Sequence, residues 1–215
     1  MKRSILLIVL GVLMLTSAVM LMGFNLSADK KAEEAASAAF EEIFSKVEEA
    51  KESARPAVAV QSESAFQSVT EAQYVPDYEL TPEMDMPEAE VSGENYIGYI
   101  EIPALYLSLP VIGECESDAF LDAAPCRYKG SAYLDNMIIA GHNYRAHFGR
   151  LSNLSVGDAV RFTDMDGNVF NYEVIDFETV KGTMVERISE GEWDLTLFTC
   201  TLDGASRITV RCVRV

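Results

Sequence analysis

The sequence predicts a mainly β domain, a small antiparallel or mixed barrel or sandwich, at the C-terminal end of a chain that opens with a membrane helix. Three observations predict this. From Tyr96 onward the chain breaks into about eight short β-branched or aromatic runs separated by turn residues, the texture of a small all-β fold. Asp166-Gly167 and Asp203-Gly204 each lie between two such runs, where a hairpin turn needs positive φ. Ser4 to Phe24 carries no charged residue and is rich in Leu, Ile, Val and Met.

Ser4 to Phe24 is long enough, as a helix, to cross a hydrocarbon core of roughly 30 Å. A cleaved signal peptide has a shorter apolar core, about 7 to 15 residues, and a small-residue cleavage site that is not evident here. Residues 1–26 are therefore read as an uncleaved anchor. Lys2 and Arg3 precede it, which keeps the N-terminus in the cytoplasm and sends everything after Phe24 outside. Residues 27–55 read as a helical stalk rich in Ala, Glu and Lys, ended by Pro56. Phe40, Phe44 and Val47 form one thin apolar stripe on it. That stripe leans on something, but it is not sustained over the three heptads a coiled coil requires.

Residues 56–95 contain many Asp and Glu, four prolines and no Lys or Arg, the composition of an extended, self-repelling linker. Within it Tyr74 to Leu80 has enough aromatic and apolar content to fold over a groove as a lid. Residues 96–215 form the β domain. Its strands are predicted at Tyr96–Ile102, Leu105–Ile112, Asn136–Ala140, Ala159–Thr163, Val169–Val180, Leu195–Cys200 and Arg207–Val215. Short helical pieces are predicted near Ser117–Ala123 and Phe148–Leu154.

The formal net charge is −17, which argues against nucleic acid and against peripheral binding to anionic lipid. Cys115, Cys126, Cys200 and Cys212 have no zinc-finger spacing. Cys115 and Cys126 flank the first short helix; a bridge between them needs a Cα separation that spacing does not show, and two free thiols are the expectation. Cys212 alternates to the face opposite Arg207 and is expected to be buried.

Cys200 ends one predicted strand and Arg207 begins the next, so a hairpin puts both at one end of the sheet. The histidines, His142 and His147, lie in Ile139-Ala-Gly-His-Asn-Tyr-Arg-Ala-His-Phe-Gly-Arg150. His142 follows a predicted buried strand and a glycine. Thiol-based acyl transfer needs a thiolate, a proton donor for the leaving amine and a donor for the developing oxyanion. Cys200, a histidine and Arg207 supply those functional groups, and a fixed cation beside the sulfur favours its thiolate. Arg211, on the same face as Arg207, is the alternative donor.

Thr196-Leu-Phe-Thr-Cys200 resembles the T-L-x-T-C signature of the sortases. Ala140-Gly-His142 resembles their histidine segment, and Arg207-Ile-Thr-Val210 the arginine that opens their last strand. The three occur in the family's order, over about Tyr96 to Val215. The resemblance implies an eight-stranded β-barrel and an extracellular, membrane-held cysteine transpeptidase of Gram-positive bacteria. Its partners would be secreted proteins bearing an LPxTG-like sorting signal, cleaved after threonine through a thioester, and an amine of a cell-wall precursor or a pilin. It assigns Cys200 as nucleophile, His142 as acid and base, and Arg207 as oxyanion or substrate-positioning donor. Thr199 is a lesser candidate for substrate contact, and His147 has no counterpart.

No cofactor is expected. Some sortases bind calcium through acidic loops, and Glu178, Glu186, Glu190 and Glu192 lie near the corresponding one, but acidic residues are common throughout this chain. The stretch from Val180 to Asp194 is too short for the long helical insertion of one sortase class. Leu109-Pro-Val-Ile-Gly113 mimics a sorting signal but lacks the threonine. Two other readings compete. A membrane-tethered scaffold would have Cys200 buried or bridged to Cys212. Papain-like peptidases place cysteine before histidine, the reverse of the order here.

Overall fold

The computed structural model describes residues 2–54, 75–115 and 118–215. In chain order its elements are helix α1 (Lys2–Ala54), helix α2 (Asp77–Leu80), and strands β1 (Ala89–Val91), β2 (Glu94–Ile102) and β3 (Leu107–Ile112). Helix α3 (Asp118–Ala123) follows, then β4 (Cys126–Lys129), β5 (Met137–Ala140), β6 (Ala159–Asp164), β7 (Val169–Lys181), β8 (Leu195–Cys200) and β9 (Ser206–Arg214).

Eight strands close on themselves in the order β2-β3-β4-β5-β8-β9-β7-β6, with β6 pairing back onto β2. The short β1 pairs antiparallel with the start of β2 and stands outside the ring. All ladders are antiparallel except β3–β4 and β5–β8. Closure depends on Gly98. It pairs with Asp164 across the β2–β6 seam at φ +144°, and a Cβ there would overlap the Thr163 carbonyl. A side chain at this position would hold the seam open.

Alternation sorts each strand into two faces. Leu195 and Leu197 of β8, Val210 and Cys212 of β9, and Phe170, Tyr172 and Val174 of β7 fill the barrel, all fully or almost fully buried. Burial pushes the Cys212 thiol up to about 12, so this cysteine is a core hydrophobe, as its strand parity predicts. The Asp166-Gly167 turn is held from within. Buried Asp164 accepts from the backbone amides of Asp166 and Asn168, from Asn168 Nδ2, and from Tyr133 OH at 2.8 Å.

Helix α1 is continuous from the apolar segment into the stalk. Its first part is long and apolar enough to cross a membrane, with mean hydropathy 2.0. Its second part lies on the barrel. Ala32, Ala36, Ala39, Ile43 and Val47, at helical spacing, are buried. Phe40 and Phe44 flank that face with ring centroids 5.5 and 5.8 Å from Tyr99. The contact face thus consists largely of alanines, whose small side chains let the helix axis approach the sheet, with the aromatic stripe at its border.

Residues 75–95, the end of the expected linker, also pack on the barrel. Tyr78 stacks on Tyr133 at 4.7 Å, and Met86 and Val91 are buried. Apolar residues spaced among the acids explain the difference, since composition averages them away. Tyr78 also meets Phe170, whose ring carries Arg214 at 4.9 Å. Arg214 ends β9 and Arg207 lies near its start, so residues 75–80 cover the end of the barrel away from Cys200, not a groove beside it. Tyr74 lies outside the described residues.

Cys115 and Cys126 are joined in a disulfide, with Cα atoms 5.3 Å apart. This corrects the expectation of free thiols. The parallel Ile112↔Cys126 pairing returns the chain beside itself after α3, a proximity that sequence spacing does not reveal. Closing a loop of this length removes roughly 3 kcal/mol of unfolded-state entropy. Replacing both cysteines with serine should therefore lower unfolding free energy by about 2–3 kcal/mol in urea titrations of the detergent-solubilised chain. Equal midpoints and slopes for the two proteins would show that the bridge contributes nothing.

Candidate active site

The site follows from two registers. Parallel pairing sets Ala140 of β5 beside Phe198 of β8, and the Gly141 amide continues the ladder by donating to the Phe198 carbonyl at 3.1 Å. Two residues further along each chain stand His142 and Cys200, which share parity and hence face. On the other side of β8, antiparallel pairing sets Cys200 opposite Arg207 of β9. Imidazole, thiol and guanidinium therefore come from three neighbouring strands, at one end of the barrel, on its outer face. Gly141 is part of this arrangement, because a Cβ there would come within 2.6 Å of the Phe148 ring.

His142 and Cys200 line one cavity of about 900 Å³. The opposite wall belongs to α1, through Leu21, Met22 and Asn25 among others. Cys200 is a partly exposed free thiol. The Arg207 guanidinium is turned toward the hairpin, where Nη1 donates to the carbonyls of Gly204 and Ser206 at 3.2 and 3.1 Å, and it does not line the cavity. The turn itself is built by Asp203, whose carboxylate accepts from Thr201 Oγ1 and the Ala205 amide. These bonds hold its pKa below the ordinary value.

Sequence reasoning missed Asp122. His142 Nε2 lies 3.1 Å from its Oδ1, the same oxygen that accepts from Tyr144 OH at 3.0 Å. Asp122 belongs to α3, inside the loop closed by the disulfide. No local signal marks it, because it meets the histidine only through the tertiary fold. Asp29 of α1 is a second such residue, accepting from the Ala146 amide and fixing the loop after β5 from the other side.

The remaining candidates separate from the cavity. Thr199 points into the barrel and is 1% exposed, on the face opposite Cys200. Strand alternation thus gives it no access to a substrate beside the sulfur. Arg211, the alternative donor, is 2% exposed and committed. It donates to the Ile188 and Arg187 carbonyls and Thr196 Oγ1, and pairs with Glu178. It holds the β7–β8 connection, whose 3-10 turn Val185–Ser189 leaves no room for a long helical insertion. Glu178 pairs with both Arg187 and Arg211. Among the described residues, no group of three or more His, Cys, Asp or Glu is disposed to hold a metal ion.

Residues 100–215, more than half of the chain, match the sortase domain model. The chain belongs to the sortase family. Its barrel has the fold of a Clostridium perfringens sortase D5 transpeptidase, with TM-score 0.50 at 20% identity over 65% of this chain and 87% of that one. It also has the fold of Clostridium perfringens sortase C in a structure with the C-terminal cell wall sorting motif, with TM-score 0.50 at 22% identity over 61% of this chain and 74% of the other. Sortase C1 of GBS pilus island 1 aligns at TM-score 0.49 and 20% identity over 56% of this chain, which spans 64% of that protein's length. No curated protein matches the chain.

His147 lies under α1 beside Tyr144, fully buried, and burial pushes its imidazole down to about 4 despite nearby Asp29 and Asp122. The unfolded chain takes up this proton near pH 6.5 and the folded chain only near pH 4. Stability is therefore lost as pH falls through that window and levels below it, by about 2 kcal/mol between pH 7 and pH 5. His147→Gln should flatten this part of the pH dependence in thermal melts at pH 7 and pH 5. An unchanged difference between the two melts would assign the loss to other groups.

Proposed function

We propose that the chain is a membrane-anchored cysteine transpeptidase that cleaves an LPxTG-like sorting signal of secreted proteins and transfers it to an amine of the cell wall or a pilin. The observation that carries this reading is the convergence of Cys200, His142 and Arg207 on one face at one barrel end, two of them in a single cavity. The anchor runs through residues 4–24, with the N-terminus in the cytoplasm and the barrel outside.

In this reading the Cys200 thiolate attacks the carbonyl carbon that follows the threonine side chain of the signal. The oxyanion is met by the Arg207 guanidinium, which exchanges its bonds to the Gly204 and Ser206 carbonyls for the substrate oxygen. The C–N bond breaks as His142 delivers a proton to the leaving amine, and the acyl group remains on sulfur as a thioester. The incoming amine loses a proton to His142 as it attacks the thioester, and the C–S bond breaks to restore the Cys200 thiolate. Asp122, 3.1 Å from Nε2, orients the imidazole through these two transfers.

The test is a fluorogenic peptide panel with and without added amine, using the full chain in detergent. The expected result is cleavage of at least one LPxTG-like peptide by wild type and none by Cys200→Ala. Equal rates for the two proteins, or no cleavage of any peptide, would overturn the reading. In the same assay Arg207→Ala should lower kcat/KM by roughly 100-fold or more, the usual effect of losing an oxyanion donor. A loss of only a few-fold would remove Arg207 from that role.

A further inference from the structure

Helix α1 serves as a ruler along the barrel. Its turns meet successive levels of the β domain. Residues Leu21 to Asp29 face His142, Cys200 and Leu202, and Ala36 faces Leu107 and Leu109. Phe40 and Phe44 meet Tyr99, and the Lys51 side chain lies against Gly167. At about 1.5 Å per residue, Asp29 to Lys51 covers about 33 Å, so the helix runs the length of the barrel. The end with Cys200 is level with the last turns of the apolar segment. The end with the Asp166-Gly167 turn is the far one.

Three further features belong to the near end. Leu202, at the tip of the β8–β9 turn two residues after Cys200, is 97% exposed. It shares its cavity with Ala18, Leu21 and Met22, residues of the apolar segment itself. Tyr144 and Arg145 line the same cavity, while Lys30 and Lys31 follow about two turns beyond Phe24, an aromatic and basic border of the kind found where a helix leaves a bilayer. Asp203, the acid of this turn, has its carboxylate already occupied by Thr201 and Ala205. A large aliphatic side chain at full exposure, level with a membrane helix, has the lipid surface within reach.

We infer that the Cys200 end of the barrel is seated on the lipid bilayer, with the Leu202 side chain in the outer interface. The mouth of the cavity then opens at the membrane surface, and a peptide still tethered to the bilayer reaches Cys200 from the lipid side, without first extending away from the membrane. The inference rests on the membrane-anchor reading of residues 4–24, and not on the chemistry proposed for Cys200.

The experiment reads depth directly. The full chain is reconstituted into phosphatidylcholine vesicles with or without brominated acyl chains, as wild type, Leu202→Trp and Val169→Trp. Trp193, the single native tryptophan, gives the background, and Val169 is an exposed position beside the far turn. Leu202→Trp should lose roughly twofold more emission to bromine than wild type, since an interfacial side chain lies within about 10 Å of the acyl boundary. Val169→Trp should match the background. Vesicle-bound protein with no extra quenching at position 202, or with equal quenching at 169, would overturn the seating of this end. Failure of the protein to float with vesicles would instead overturn the anchor, and the seating with it. Peptide cleavage in detergent is unaffected by any of these outcomes, so the two readings fail separately.

Discussion

The candidate site hangs on the parallel ladder between β5 and β8. Parallel neighbours start and end at matching levels, so two segments more than fifty residues apart in sequence deliver their next side chains to the same place. The antiparallel β8–β9 hairpin adds the third group by a local route. Both ladders consist of backbone bonds inside a closed ring, which leaves the three strands no freedom to slide. A slip of one residue would send every side chain of a strand to the other face. Cys200 would then enter the core and Thr199 would take its place outside.

The ring itself closes through Gly98, and it is covered on one side by α1. That helix does two things at once. Its alanine face packs on the barrel, and its preceding turns complete the cavity in front of Cys200. The loop that carries His142 is held between two supports, Asp29 on α1 and Asp122 on α3, and α3 is in turn held by the Cys115–Cys126 bridge. A histidine on a loop gains a fixed orientation only from such surroundings, because a loop has no ladder of its own.

Arg207 and Arg211 illustrate how little residue type decides. They lie on one face of one strand. Arg207 is near the open end, where its hydrogen-bond partners among the described residues are turn carbonyls. Arg211 sits beneath the β7–β8 connection, where two backbone carbonyls, Thr196 and Glu178 accept from both its Nη nitrogens. A buried guanidinium so engaged is a structural clamp, and removing it would leave those carbonyls and a carboxylate without partners.

Much of this was legible in the chain. Alternating runs and Asp-Gly turns marked the strands, the apolar segment marked a helix long enough to cross a membrane, and Cys200 and Arg207 were recognisable because a hairpin brings together residues close in sequence. His142 was found by its motif and not by any pattern that measures distance. The helical face on the barrel was read only in part, through Phe40, Phe44 and Val47, and its alanines were passed over, since alanine signals helix without signalling contact. Residues 75–95 were masked by their acidity. The disulfide, Asp122, Asp29 and the commitment of Arg211 were invisible, each depending on a meeting of segments far apart along the chain. By itself, then, the sequence determined the local elements and the chemical groups, because periodicity and turn chemistry act over a few residues. The tertiary structure alone decided which groups meet, which are buried and which end faces the apolar part of α1, because those are set by strand order and register around the closed barrel.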